Sequence, residues 1–80
     1  MSYHLKEIPK GILGDFSKIK EEFLEAEDAY GQKNPVMCLT ELTDLLGAIE
    51  AFAKNYNMDL NDLITMKDAT QRAFKSGRRS

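Results

Sequence analysis

Two apolar stripes at helical spacing are separated by only a few residues, and that break constrains the fold more than any other feature. Phe16, Ile19, Phe23, Ala26 and Tyr30 recur at steps of three and four, and so do Leu39, Leu42, Leu46, Ile49, Phe52 or Ala53, and Tyr56. That is the α-helical period. Between the stripes lies "GQKNP", with Gly31 as a natural C-terminal stop and Asn34-Pro35 in the order of an N-cap followed by a first-turn proline. A connection this short joins antiparallel neighbours. Asp15 is the expected N-cap of helix one, and helix two should end around "NYN". Asp59 should cap a third helix carrying Leu60, Leu63, Ile64, Ala69 and Phe74, with Gly77 at its end. The expected fold is all-α: an antiparallel hairpin plus a third helix. Residues 1–14 read as an extended or looped arm, 15–76 as the helical domain and 77–80 as a basic tail.

The chain has 80 residues, enough for one domain. A chain of that length buries only about 60–65% of its unfolded surface. Cys38 is the sole cysteine, so no internal disulfide reinforces the core and a reducing compartment is expected. Oligomerisation is the remaining route to buried area, which predicts that a dimer or larger assembly completes the helix bundle. The formal charge of −2 and pI near 5.3 argue against a dedicated nucleic-acid binder. No apolar run approaches the ~18–20 residues of a membrane span. The opening "MSYHLKEIPK" has no apolar leader core, so a cytoplasmic protein is expected. "GILG" does not match a dinucleotide-binding fingerprint.

The acidic residues carry the chemistry. Glu22 and Glu25 are three apart on helix one, and Glu41 and Asp44 are three apart on helix two, so each pair shares a helix face. At about 100° per residue, the pairs lie roughly 100° and 115° round from their apolar stripes, in the same rotational sense. Antiparallel packing then puts both on one side of the hairpin. At 1.5 Å per residue, the levels of Glu25 and Glu41 differ by only about 1–2 Å. Four carboxylates therefore converge on one groove, which is self-repulsive unless cations neutralise it or the side chains splay into water. Solvated helix surface is the plain alternative. Oxygen ligands with no His or Cys nearby in sequence suit Mg²⁺ or Mn²⁺. Mg²⁺ is commonly shared between carboxylates and substrate phosphates, which points to phosphate chemistry. By phase, Glu27, Asp28 and Glu50 fall outside the groove and read as solvated or partner-facing.

The pattern E-E-x-x-E in "EEFLE" (Glu21, Glu22, Glu25), followed by E-x-x-D in "ELTD" (Glu41, Asp44) with fifteen residues between Glu25 and Glu41, resembles that of the MazG-like all-α nucleoside triphosphate pyrophosphohydrolases. The likeness extends over roughly residues 15–75. It implies a Mg²⁺-dependent dimer or dimer of dimers that cleaves a nucleoside triphosphate between its α and β phosphates, giving a nucleoside monophosphate and pyrophosphate. It implies Glu22, Glu25, Glu41 and Asp44 as metal ligands. It also implies catalytic roles for Glu22 and for Glu21, the latter supporting the site or orienting water. The chain departs from the family pattern in its short arm and in "DATQ" before Arg72, where many members carry an Asn. A helical interaction module on the same scaffold, without turnover, is the competing reading, and a metal-binding structural protein a third.

Lys67, Arg72 and Lys75 on helix three are the candidate phosphate-binding residues, Arg72 first because its guanidinium offers a bidentate fork. A solvated basic face is their alternative. Lys18 should pair with Glu22 one turn on. His4 reads as a surface residue, Cys38 as packing, and Phe16, Phe23, Phe52 and Tyr56 as core or subunit interface.

Overall fold

A computed structural model describes residues 4–75. The Gly77 helix end and the 77–80 tail of the sequence reading lie outside those residues, as does position 76. Among the described residues the architecture is all-helical: α1 (Phe16–Gly31), α2 (Pro35–Ala53), a 3₁₀ turn (Lys54–Tyr56) and α3 (Leu60–Lys75). Asp15 caps α1 by accepting from the Ser17 N–H, and Asn34 caps α2 by accepting from the Met37 N–H. Asp59 and Asp62 cap α3 reciprocally: each carboxylate accepts the other residue's N–H, at 2.9 and 3.0 Å, in a capping-box arrangement.

The turn is closed differently from the sequence expectation. Gly31 is still helical, and Lys33 takes the left-handed conformation (φ 58°). The Lys33 N–H bonds to the Tyr30 carbonyl and the Asn34 N–H to that of Ala29, the paired closure of a Schellman motif. Asn57 (φ 61°) plays the corresponding part after α2. α1 and α2 pack antiparallel. Phe16 at the start of α1 meets Phe52 near the end of α2 edge to face, with ring centroids 5.5 Å apart. The Asn55 side-chain amide ties the same end to the Gly14 carbonyl.

The seam between these helices is not the stripe of large apolar residues. The buried residues are Ala26, Ala29, Ala48 and Ala53 together with Glu21, Glu22, Asp28 and Glu41, and of these Glu21 and Asp28 are bonded to the arm. Phe23, Leu39, Leu42 and Leu46 are all exposed, as are Phe16 and Tyr30. On α2 the covered positions include Cys38, Glu41, Leu45 and Ala48, each one residue before a member of the expected stripe, while Ile49, Phe52 and Ala53 of that stripe are covered as well. One residue is a turn of about 100° about the helix axis. The physical reason is size: alanines let two backbones approach closely, whereas the bulky stripe would hold them apart. α3 buries no residue of its own.

The arm is docked along α1. The Gly11 N–H donates to Glu21 at 2.7 Å, and the Leu5 N–H donates to Asp28 at 3.0 Å, so the arm runs antiparallel to the helix. Gly11 lies so close to the first turn that an added Cβ would overlap the backbone of Ser17 and Lys18. Gly11→Ala is therefore expected to destabilise the fold by about 1–3 kcal/mol, the usual cost of overpacking. Urea unfolding measures the loss, and amide exchange should show Leu5 and Gly11 deprotected together. Unchanged stability and exchange would mean that the arm does not rest there in solution.

Candidate metal centre

The seam brings three of the four expected ligands to a single point. One carboxylate oxygen each from Glu22, Glu41 and Asp44 lies within 4.8 Å of the others, and Glu25 groups in the same way with Glu21 and Glu22. Glu25 also meets Glu41, so Glu41 belongs to both neighbourhoods. Helical period explains the convergence: Glu22 and Glu25 are adjacent on α1, Glu41 and Asp44 on α2, and the short turn sets their heights. The carboxylates are closer to the helix–helix seam than their expected phase placed them. Glu22 and Glu41 are buried, Glu25 is half-buried and Asp44 is exposed.

The electrostatics divide the carboxylates into two kinds. Glu21 is buried, which alone would raise its pKa. The Gly11 N–H, Lys18 at 3.1 Å and Lys10 at 3.8 Å outweigh that and hold it below its ordinary value. Asp28 follows the same logic: burial raises it, and the Leu5 N–H, Gln32 and His4 more than compensate. Glu22 and Glu25 go the other way. Burial pushes Glu22 up, and the charge of Glu25 adds to the effect; Lys18, 3.6 Å away, offsets only part. Burial also pushes Glu25 up, followed by the adjoining Glu41 carboxyl. Glu41 Oε2 is buried and has no hydrogen-bond partner. An unsatisfied buried oxygen costs about 1–3 kcal/mol, more when it carries charge.

Two residues were misjudged from sequence. Asp28 is not solvated: it is buried and its Oδ2 takes three donors. His4 is not a surface residue but sits inside the cluster. Its Nδ1 is 3.0 Å from Asp28, and its Nε2 is 3.6 Å from Glu41 and 3.9 Å from Glu25. No periodic signal marked it, because an extended arm docks through backbone N–H groups. The Glu21 carboxylate is taken by the Gly11 N–H and the Lys18 ammonium. Lys67, Arg72 and Lys75 are exposed on α3, and Lys67 pairs with its neighbour Asp68. Other cations stand nearer the acids. Lys6 and Lys10 line a groove of about 330 Å³ with His4 and Glu25. A larger cleft of about 620 Å³ lies at the turn between Tyr30, Pro35, Cys38 and Leu39 and contains none of the clustered acids. Cys38 itself is half-buried, its Sγ 3.8 Å from the Ala26 carbonyl, as a packing residue.

Among the described residues, no helix is long and apolar enough to cross a membrane. Compared with protein-family models, with curated proteins and with solved structures, the chain shows no match.

The opposed shifts predict opposed pH responses in metal-free protein. Glu25 is raised above its ordinary 4.5, so its protonated form favours folding; that contribution is full below about 4.5 and is lost as pH rises through the folded value. Glu25→Gln should therefore melt higher than the parent at neutral pH in EDTA, with the gap closing as pH falls. Glu21 is lowered, so its contribution is present above about 4.5 and lost as pH falls through its folded value. Glu21→Gln should melt lower than the parent at neutral pH, and that gap too should close in acid. Thermal melts across pH check both signs; equal signs would contradict the two-class description.

Proposed function

We propose that the chain is a Mg²⁺-dependent nucleoside triphosphate pyrophosphohydrolase that cleaves the α–β phosphate bond and works as a homodimer or tetramer. The observation that carries the reading is the orphaned buried oxygen of Glu41 within a convergent set of Glu22, Glu25 and Asp44. Such a set fits a hard divalent cation: oxygen donors, net negative charge and one donor left unsatisfied. The likeness of "EEFLE" and "ELTD" to the MazG-like pattern supports the same reading and supplies the reaction.

Glu22, Glu25, Glu41 and Asp44 would hold the cation; when bound, it would polarise a phosphoryl oxygen and lower the pKa of the attacking water. Glu21 anchors the arm that walls the site. Glu22, itself one of the four ligands, would also be the carboxylate to accept the water's proton. The water oxygen would bond to the α-phosphorus as the α–β bridge breaks, and the bridging oxygen would leave with pyrophosphate. Mn²⁺ would substitute for Mg²⁺ in an oxygen-rich set. Phosphate charge would be met by Lys67, Arg72 and Lys75, which needs α3 of a second copy or a movement of α3, since α3 buries nothing on its own hairpin. Assembly is supported by the outward row of Phe23, Leu39, Leu42 and Leu46, an apolar surface of the kind that marks interaction sites.

That same row, with α3 exposed, is what favours the second reading, an interaction module without turnover. A panel of nucleoside triphosphates with Mg²⁺ separates the two. Pyrophosphate and nucleoside monophosphate in equal amounts are expected. Orthophosphate alone would exclude α–β cleavage, and no product from any nucleotide would favour the module. Arg72→Ala should weaken nucleotide binding while leaving Mg²⁺ binding intact; loss of both in a folded protein would make Arg72 structural. Solution mass should give a dimer or tetramer, reduced to monomer by Leu42→Asp; a fully helical parent monomer at micromolar concentration would contradict assembly.

A further inference from the structure

We propose that His4 is itself a metal ligand, forming with Glu25 and Glu41 a mixed nitrogen–oxygen site for a first-row transition ion such as Zn²⁺ or Co²⁺. The inference rests on the reading of the acid cluster as a metal centre and adds a ligand that the acid pattern does not contain. Three observations carry it. The first is grouping: one ligand atom from each of His4, Glu25 and Glu41 lies within 4.8 Å of the others.

The second is the orientation of the imidazole. Its Nδ1 is 3.0 Å from Asp28 Oδ2, and that oxygen is fixed in turn by the Leu5 N–H and the Gln32 amide. An ionised carboxylate only accepts, so Nδ1 is the protonated nitrogen, and in the neutral ring the lone pair falls on Nε2. Nε2 is the atom turned to Glu41 Oε1 at 3.6 Å and Glu25 Oε2 at 3.9 Å. Neither separation is a hydrogen bond. Ligands about 2.1 Å from a tetrahedral ion stand roughly 3.4 Å apart, so these spacings are close to those around a shared cation. A buried carboxylate behind the far nitrogen is also the usual outer-shell partner of a metal-bound histidine. The third observation is Glu41, more than nine-tenths buried, with Oε2 unpartnered and its Oε1 facing His4.

A nitrogen donor changes the preferred metal. Imidazole suits Zn²⁺ and Co²⁺, whereas an all-oxygen set suits Mg²⁺ and Mn²⁺. The set of His4, Glu25 and Glu41 would therefore select a softer ion than the group of Glu22, Glu41 and Asp44, with Glu41 common to both.

The chain contains one histidine, so its ring can be followed without ambiguity in untagged protein. Zn²⁺ titrated into the wild type should shift the Nε2 resonance strongly, and Mg²⁺ should not. By calorimetry with Co²⁺, His4→Ala should lose more than about tenfold in affinity, and Asp28→Asn roughly 10–100-fold, the range of outer-shell changes. Mg²⁺ affinity should be unchanged by His4→Ala, and circular dichroism in EDTA checks that both variants remain helical. If saturating Zn²⁺ leaves the ring resonance in place while Mg²⁺ still binds, His4 is not a ligand and the carboxylate centre stands. If the wild type binds neither Mg²⁺ nor Co²⁺, both the His4 site and the carboxylate centre are wrong. A fall in Mg²⁺ and Co²⁺ affinity by the same factor in a helical His4→Ala variant would also overturn the proposal, because it would show that His4 only holds the arm in place.

Discussion

Carboxylates buried along an alanine-lined hairpin are the constraint on which the rest of this molecule depends. Moving a carboxylate out of water costs several kcal/mol unless donors or cations replace the lost hydration. Glu21, Glu22, Asp28 and Glu41 are all buried in a chain of 80 residues. The arm answers part of that cost. Gly11, Leu5 and His4 bring donors to Glu21 and Asp28, seven positions apart on α1, and so cover about two turns of its acidic face. What the arm leaves unanswered is concentrated between those anchors, at Glu22, Glu25 and Glu41. The division is spatial: satisfied acids flank the centre, and unsatisfied ones form it.

The hairpin was legible because its signals are local. Asn34-Pro35 starts a helix by its own chemistry, and two stripes at three- and four-residue steps need no tertiary information. The grouping of Glu22, Glu41 and Asp44 was expected from pitch, phase and turn length, although the phase was set against a stripe that the structure only partly uses. Three features were not legible. The packing face was misread at Phe23, Leu39, Leu42 and Leu46 because large apolar residues dominate a hydrophobic pattern, while Ala29 and Ala48 contribute little to it and yet permit close approach. Lys33 took the left-handed position although Gly31 stood two residues earlier, because the Schellman pair needed its N–H groups at Lys33 and Asn34. His4 and Asp28 were missed because they meet through an arm with no helical period.

The two faces of the hairpin are unequal in a way that bears on assembly. A seam of alanines buries little apolar area, and apolar burial is the principal favourable term in folding. The residues able to supply more of it, Phe23, Leu39, Leu42 and Leu46, face away from the seam. α3 carries Ile64, Met66 and Phe74 exposed as well. A second hairpin against this face would bury what the monomer leaves in water. It would do so without disturbing the acids, which use a different face of each helix.

That separation also assigns different work to the two ends of the site. On the seam side, the donors are fixed by helix geometry: rotating either helix by one residue would scatter Glu22, Glu41 and Asp44. On the arm side, His4 reaches Glu25 and Glu41 only because Gly11 permits close backbone approach and Asp28 holds the ring. The carboxylates therefore define where positive charge is wanted, and the arm defines how much of that demand the protein meets itself. A cation bound at Glu41 would satisfy the one buried side-chain oxygen that, among the described residues, has no hydrogen-bond partner. The arm is thus packed into the acid cluster rather than merely leading to the helices, with Leu5 and His4 bonded to Asp28 and Gly11 to Glu21.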